Sequence, residues 1–359
     1  MKGFGEDPKS NLKSNKSKLN SQEQIVNHAI QLHVRGNIPE ATKYYQNCIK
    51  QGIKDCRVFS NYGTILNNLG KLKDAELSFR KAIEINPNYA NAHYNLGNLL
   101  CDLRRLKDAE FYTRKAIRIN PNFANAHSNL GKILYSLGKL KDAELSYHKA
   151  IEINPNYANA YSNLAKLFYD QTRLKDAELF YRKAIQLNPS FTDAYYNLGN
   201  LFFDLRRLKD AEFSYRKAIQ LNPNFTAAHY NLGRISIDLG KLKDAEFSYR
   251  KAIELNPNFA ICHANLGDLL RDLGKLKDSE FHTRKAIELN PNYAIAHANL
   301  GDFLRDYGNL KDAEVSTRKA IALNPHYAIA HSNLGNILSD LGKLNEAEIS
   351  QRKAIELKP

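Results

Sequence analysis

The chain has 359 residues, with 52 Lys+Arg against 38 Asp+Glu, for a net charge of +14. An apolar content of 43% supports a packed core and excludes wholesale disorder. A mean hydropathy of −0.53, with no apolar run near about 18 residues, excludes a membrane-spanning helix.

The prolines set the register. Nine of the eleven are Pro87, Pro121, Pro155, Pro189, Pro223, Pro257, Pro291, Pro325 and Pro359, and the interval from each to the next is the same. Self-similarity at such a period means a solenoid or array rather than several independent domains. A skewed composition agrees: 20 Tyr and 16 Phe, but no Trp and one Met.

In chain order, residues 1–21 are rich in Lys, Asn and Ser and lack the apolar stretch of a secretory leader. They are expected to form a disordered basic tail. Residues 22–55 are a degraded copy of the repeat. This copy keeps Ala29, Leu32, Gly36, Ala41 and Tyr45, but has Cys48 and Ile53 where the others have Ala and Pro. An atypical terminal repeat is the usual capping arrangement. Nine full copies then fill 56–359, the last of them (328–359) shortened.

One copy, 90–123, serves for all. Ala92, Leu96, Leu99, Leu100 and Leu103 recur at spacings of three and four, which predicts one helix stripe. A break follows at Arg104-Arg105, where most copies carry Gly (Gly70, Gly138, Gly240, Gly274, Gly308, Gly342), a residue suited to ending a helix at positive φ. Leu106, Ala109, Thr113, Ala116 and Ile117 predict a second helix. Asn120-Pro121 stops it, because the residue before proline is driven out of the α region. Each copy is therefore a helical hairpin. Small residues at Gly97, Ala109 and Ala116 allow its helices to approach closely.

These residues resemble the tetratricopeptide repeat family. Leu96 and Gly97 stand at that family's seventh and eighth places, Ala109 at the twentieth, Ala116 at the twenty-seventh and Pro121 at the thirty-second. The family's fourth-place Trp is here His93, His127, Tyr161, Tyr195, His229, His263, His297 and His331. Its twenty-fourth-place aromatic is Phe79, Tyr147, Tyr181, Tyr215 and Tyr249, but Thr in three copies and Gln351 in the last. The resemblance implies an all-α fold: a right-handed superhelical solenoid of antiparallel helix pairs, whose first helices line a concave face. It also implies a protein-interaction scaffold that binds an extended peptide or protein segment in that groove.

Candidate binding residues follow from this placement. The sixth place is Asn in every full copy: Asn61, Asn95, Asn129, Asn163, Asn197, Asn231, Asn265, Asn299 and Asn333. A primary amide both donates and accepts, so a row of them can hold successive peptide groups. The row resembles the repeat region of O-GlcNAc transferases, in which an asparagine ladder holds substrate backbone. The alternative is that these amides bond within the scaffold. Lys132, Lys166, Tyr169 and Phe203 vary among the copies, and Asp102, Asp170, Asp204, Asp238, Asp272, Asp306 and Asp340 recur at the thirteenth place. At the second place, Asn91, Asn125 and Asn159 give way to Ile261, Ile295 and Ile329. The groove is thus expected to be polar early, aromatic in the middle and partly aliphatic late.

Other chemistry is weakly supported. No P-loop, GxSxG, HExxH or GxGxxG pattern is present, so no enzymatic activity and no cofactor are expected. The alternative is the substrate-recognition part of a larger enzyme, such as an O-GlcNAc-transferase-like glycosyltransferase. Fourth-place histidines would lie about 8–10 Å apart, too far to share a metal held at about 2 Å; they are expected to be half-buried spacers. Second helices repeat Lys and Arg, as in Lys71, Lys73, Arg80, Lys81 and Lys241, Lys243, Arg250, Lys251, with acids interleaved. A solvated face is expected there, without specific nucleic-acid binding. The last helix carries an apolar stripe at Leu344, Ala347, Ala354 and Ile355, from which weak end-to-end self-association is expected. Cys48, Cys56, Cys101 and Cys262 form no CxxC and are too sparse for a disulfide framework, which suits a reducing cytoplasm.

Overall fold

The computed structural model describes residues 8–358, with side chains from 21 onward. Among them every element is an α-helix, and none is long and apolar enough to cross a membrane. The chain divides into two compact units, 1–187 and 188–359. The first contains α1 (Pro8–Val34), α2 (Ile38–Lys50), α3 (Cys56–Asn68), α4 (Leu72–Ile85), α5 (Ala90–Asp102), α6 (Leu106–Ile119), α7 (Ala124–Ser136), α8 (Leu140–Ile153), α9 (Ala158–Asp170) and α10 (Leu174–Leu187). The second contains α11 (Thr192–Asp204), α12 (Leu208–Leu221), α13 (Thr226–Asp238), α14 (Leu242–Leu255), α15 (Ala260–Asp272), α16 (Leu276–Leu289), α17 (Ala294–Asp306), α18 (Leu310–Leu323), α19 (Ala328–Asp340) and α20 (Leu344–Leu357).

Helices pair as the repeat predicts, α5 with α6 in the first unit and α11 with α12 in the second. The basic segment expected as a tail differs. Residues 1–7 lie outside the described residues, but α1 begins at Pro8. Proline is tolerated in a helix's first turn, and no glycine or further proline interrupts 9–34.

Close approach holds each hairpin together. Ala211 and Ala218 are fully buried, and the Tyr215 ring lies against Gly199. A Cβ at Gly199 would come within 2.6 Å of that ring. Where the copy has Thr in place of the aromatic, Thr113, Thr283 and Thr317 fill the same buried position.

The turns inside the hairpins follow the glycine expectation. Gly70, Gly138, Gly240, Gly274, Gly308 and Gly342 all have φ between 71° and 83°. Three copies hold a side chain in the same conformation: Arg104, Thr172 and Arg206, at 61°, 60° and 57°. At Thr172 the surrounding bonds impose it, since Thr172 N–H donates to Tyr169 O and Arg173 N–H to Phe168 O, each at 2.9 Å. A β-branched residue is strained there. Thr172→Gly should therefore stabilise the first unit by roughly 0.5–1 kcal/mol, after the extra unfolded-state freedom of glycine is subtracted. Denaturant unfolding measures this, and an unchanged or lower midpoint would contradict it.

Candidate functional site

The turns between repeats position the first helices, and the fourth-place histidines close them. After α12, Asn222 takes an extended conformation before Pro223. Its side-chain oxygen accepts from Asn224 N–H at 3.1 Å. His229 Nε2 then meets Pro223 O at 2.9 Å. The same bond joins His93 to Pro87, His127 to Pro121, His263 to Pro257, His297 to Pro291 and His331 to Pro325. Since a carbonyl only accepts, each Nε2 carries a proton. These histidines are hydrogen-bonded locks on the turn, more specific than spacers, and they sit too deep to face a ligand at His93, His229 and His263.

One lock continues inward. His263 Nδ1 lies 2.9 Å from His282 Nδ1 in the core of the α15–α16 hairpin. With His263 protonated on Nε2, its Nδ1 accepts and His282 Nδ1–H donates. Burial, with His263 and Arg250 nearby, lowers the His282 pKa to about 4 against the partial opposition of Asp278.

The sixth-place asparagines lie on the first helices, half-buried except for buried Asn129. In the first unit Asn95 Nδ2 donates to Ser60 Oγ at 3.2 Å, and Asn129 Nδ2 to Thr113 Oγ1 at 3.4 Å. In the second, Asn231 donates to Tyr196 Oη and Asn200 Oδ1 at 3.2 and 3.1 Å. Asn265 donates to Tyr230 Oη at 3.2 Å, Asn299 to Ala264 O at 3.2 Å and Asn333 to Asp302 Oδ2 at 2.6 Å. The donor half of these amides therefore ties adjacent repeats together. Asn163 and Asn197 make no such bond among the described residues.

The variable positions form a different lattice in each unit. In the first, Lys132 reaches Asp102 at 3.4 Å, the Tyr135 hydroxyl donates to Asp170, and Lys166 lies 5.6 Å from the Tyr135 ring centre. Tyr169 is half-buried beside them on α9. In the second, Arg234 lies over the half-buried Phe203 ring at 4.7 Å, Asp204 is exposed, and Arg206 stands 4.0 Å from Asp238. Further along, Arg271 is ringed by Asp302 (3.1 Å), Asp268 (3.2 Å), Asp272 (3.3 Å) and Asp306 (3.8 Å). Burial raises the Asp302 carboxyl above its ordinary range despite the pull of Arg271. Ile261 on α15 and Ile329 on α19 are exposed.

Sequence reasoning reads the second helices as charged and solvated, and most of those charges are indeed paired. Glu212 accepts from Arg216 and Lys241 at 2.9 and 2.7 Å. Desolvation opposes its ionisation, but these hydrogen bonds outweigh it and hold the carboxyl below its ordinary range. That reading misses an exposed apolar residue at the twenty-second place of every full copy: Leu77, Phe111, Leu145, Leu179, Phe213, Phe247, Phe281, Val315 and Ile349. The signal is its recurrence once per copy within a charged run. On the last helix Ala347 and Ala354 are buried, and Leu344 and Ile355 exposed.

This geometry defines a helical-hairpin repeat protein. Tetratricopeptide repeat models match residues 63–103, 131–172 and 173–206; 90–123, 192–225 and 226–259; 112–144, 248–281 and 282–315; and 328–359. The chain belongs to the tetratricopeptide repeat family, whose members generally serve as protein-interaction scaffolds. No curated protein matches it significantly. PilF of Pseudomonas aeruginosa is similar in fold, at 21% identity over 60% of this chain and 97% of its own, with a TM-score of 0.53. YrrB, described as a TPR protein with an unusual peptide-binding site, is 30% identical over 51% of this chain and 95% of its own, with a TM-score of 0.47. MamA is 25% identical over 46% and 96%, with a TM-score of 0.43.

The histidine pair has a pH consequence. Below about pH 6.5 the unfolded chain protonates His282, while the folded chain holds it neutral until about 4. Stability should thus fall as pH drops through that window. His282→Ser, matching Ser248 in the preceding copy, should flatten the loss. Thermal melting of both proteins from pH 7 to pH 4 checks this; equal slopes would contradict it.

Proposed function

We propose that this protein is an interaction scaffold that captures an extended peptide or protein segment along the face of its first helices. The observation that carries this reading is the contrast on one surface between a copied row and an uncopied lattice. The sixth-place amide is the same in every full copy. Around it, the ninth and twelfth places change from Lys132, Tyr135 and Lys166 to Asp268, Arg271, Asp302 and Arg305. A uniform row suits the repeating backbone of a ligand, and a varied lattice suits its side chains.

The amides would act mainly as acceptors. Their Nδ2 groups already tie repeats together at Asn231, Asn265, Asn299 and Asn333, which leaves Oδ1 lone pairs for peptide N–H groups. Likeness to the asparagine ladder of O-GlcNAc transferases extends to this backbone-holding role alone. The second unit, with five aspartates around Arg271 and Arg305, would favour a ligand with basic side chains. Four unpaired cysteines, three of them buried, suit a reducing compartment such as the cytoplasm.

Panning a displayed library of random peptides against the full chain would supply a ligand. Asn197→Ala should then weaken binding by about 0.5–1.5 kcal/mol without lowering the melting temperature. Asn231→Ala should weaken binding and also lower the melting temperature, because its scaffold bonds are lost. Unchanged affinity in both variants would refute backbone capture by the row.

A further inference from the structure

The second helices carry a pattern that peptide capture leaves unused. Each full copy exposes a large apolar side chain at its twenty-second place, and each up to the last has a lysine one turn before it. In the second unit the pairs are Lys209/Phe213, Lys243/Phe247, Lys277/Phe281 and Lys311/Val315. Phe213, Phe247 and Phe281 are 60%, 67% and 63% exposed. One turn further on stand Lys217, Lys251 and Lys285, and Lys217 Nζ lies 5.9 Å from the Phe213 ring centre. Since residues four apart share a helix face, these second helices show a stripe of lysine, apolar residue, lysine.

The acidic residues on this surface are occupied. Glu212 is held by Arg216 and Lys241, Glu246 by Arg250 and Lys275, Asp244 by Arg216 and Asp278 by Arg250. Lys251 and Lys285 bond Glu254 and Glu288. Lys209, Lys243, Lys277 and Lys311 have no carboxylate partner among the described residues and are exposed. Their charge is left for something outside the chain.

We propose that the exposed face of the second helices docks on an anionic lipid surface. Phenylalanines would enter the boundary between headgroups and acyl chains, while the unpaired lysines meet lipid phosphates. Three features favour this occupant. The charge is complementary. Apolarity recurs from copy to copy while aromaticity does not, since Leu77, Leu145, Leu179, Val315 and Ile349 hold the same place; base stacking would need rings throughout. The stripe is also nearly identical from copy to copy, and so suits a laterally uniform surface, whereas a specific protein partner would call for variation. A second copy of the chain would bring two lysine rows of like charge together.

The test uses the full chain and vesicles of phosphatidylcholine and phosphatidylserine mixed two to one, with pure phosphatidylcholine as control. Because the chain has no tryptophan, Phe247→Trp is a single reporter. Its emission should shift to the blue on anionic vesicles and stay unchanged with the control. The triple variant Lys209→Gln, Lys243→Gln, Lys277→Gln should lower vesicle affinity on the order of a hundredfold. The triple variant Phe213→Ser, Phe247→Ser, Phe281→Ser should lower it at least tenfold, with unchanged helicity. Absence of vesicle binding, or loss on lysine removal alone with no blue shift, would overturn insertion. Binding of single-stranded DNA that is weakened equally by both triple variants, or self-association abolished by the Phe variant, would reassign the face to those partners.

Discussion

Everything in this chain depends on how closely two helices can approach. Alanine at the twentieth place (Ser279 in one copy) and at the twenty-seventh, with glycine or alanine at the eighth, lets each hairpin close until Tyr215 lies against Gly199 and its equivalents do the same. With the hairpin closed, equivalent residues of neighbouring copies lie side by side. Contacts between copies therefore recur at fixed separations. Glu212 meets Lys241 and Glu246 meets Lys275, 29 residues apart. Asn231 meets Tyr196 and Asn265 meets Tyr230, 35 apart. A one-residue insertion within a helix would break both sets at once.

This regularity separates two surfaces of different chemistry. The first helices carry a constant amide row and a lattice that differs from copy to copy, from the Tyr135–Asp170 bond to the ring of aspartates around Arg271. The second helices carry the same stripe almost every time. Variation is what selecting one ligand requires, whereas repetition suits contact with something uniform.

Hairpins and their turns were legible because proline, glycine and alanine act through backbone geometry, which one residue determines locally. Thr172 and Arg206 could not be assigned positive φ by themselves; only their alignment with Gly240 and Gly274 reveals it. The histidine locks were harder to read, since the bond from His229 to Pro223 spans a turn whose shape must be known first. The asparagine row was visible as a row, but not the direction of its hydrogen bonds, which depends on residues 16 to 35 positions away. The exposed Phe213, Phe247 and Phe281 were hidden by the charged residues around them.

Photo-crosslinking tests most directly whether the first-helix face captures peptide. A selected peptide carrying a benzophenone side chain at successive positions would be irradiated with the full chain, and the crosslinked residues read by mass spectrometry. Crosslinks should fall on first helices, near Asn231, Asn265 and Asn299, advancing by one whole repeat at a time as the label moves along the peptide. Crosslinks concentrated near Phe213, Phe247 and Phe281 on the second helices, or scattered without that period, would contradict capture along the asparagine row.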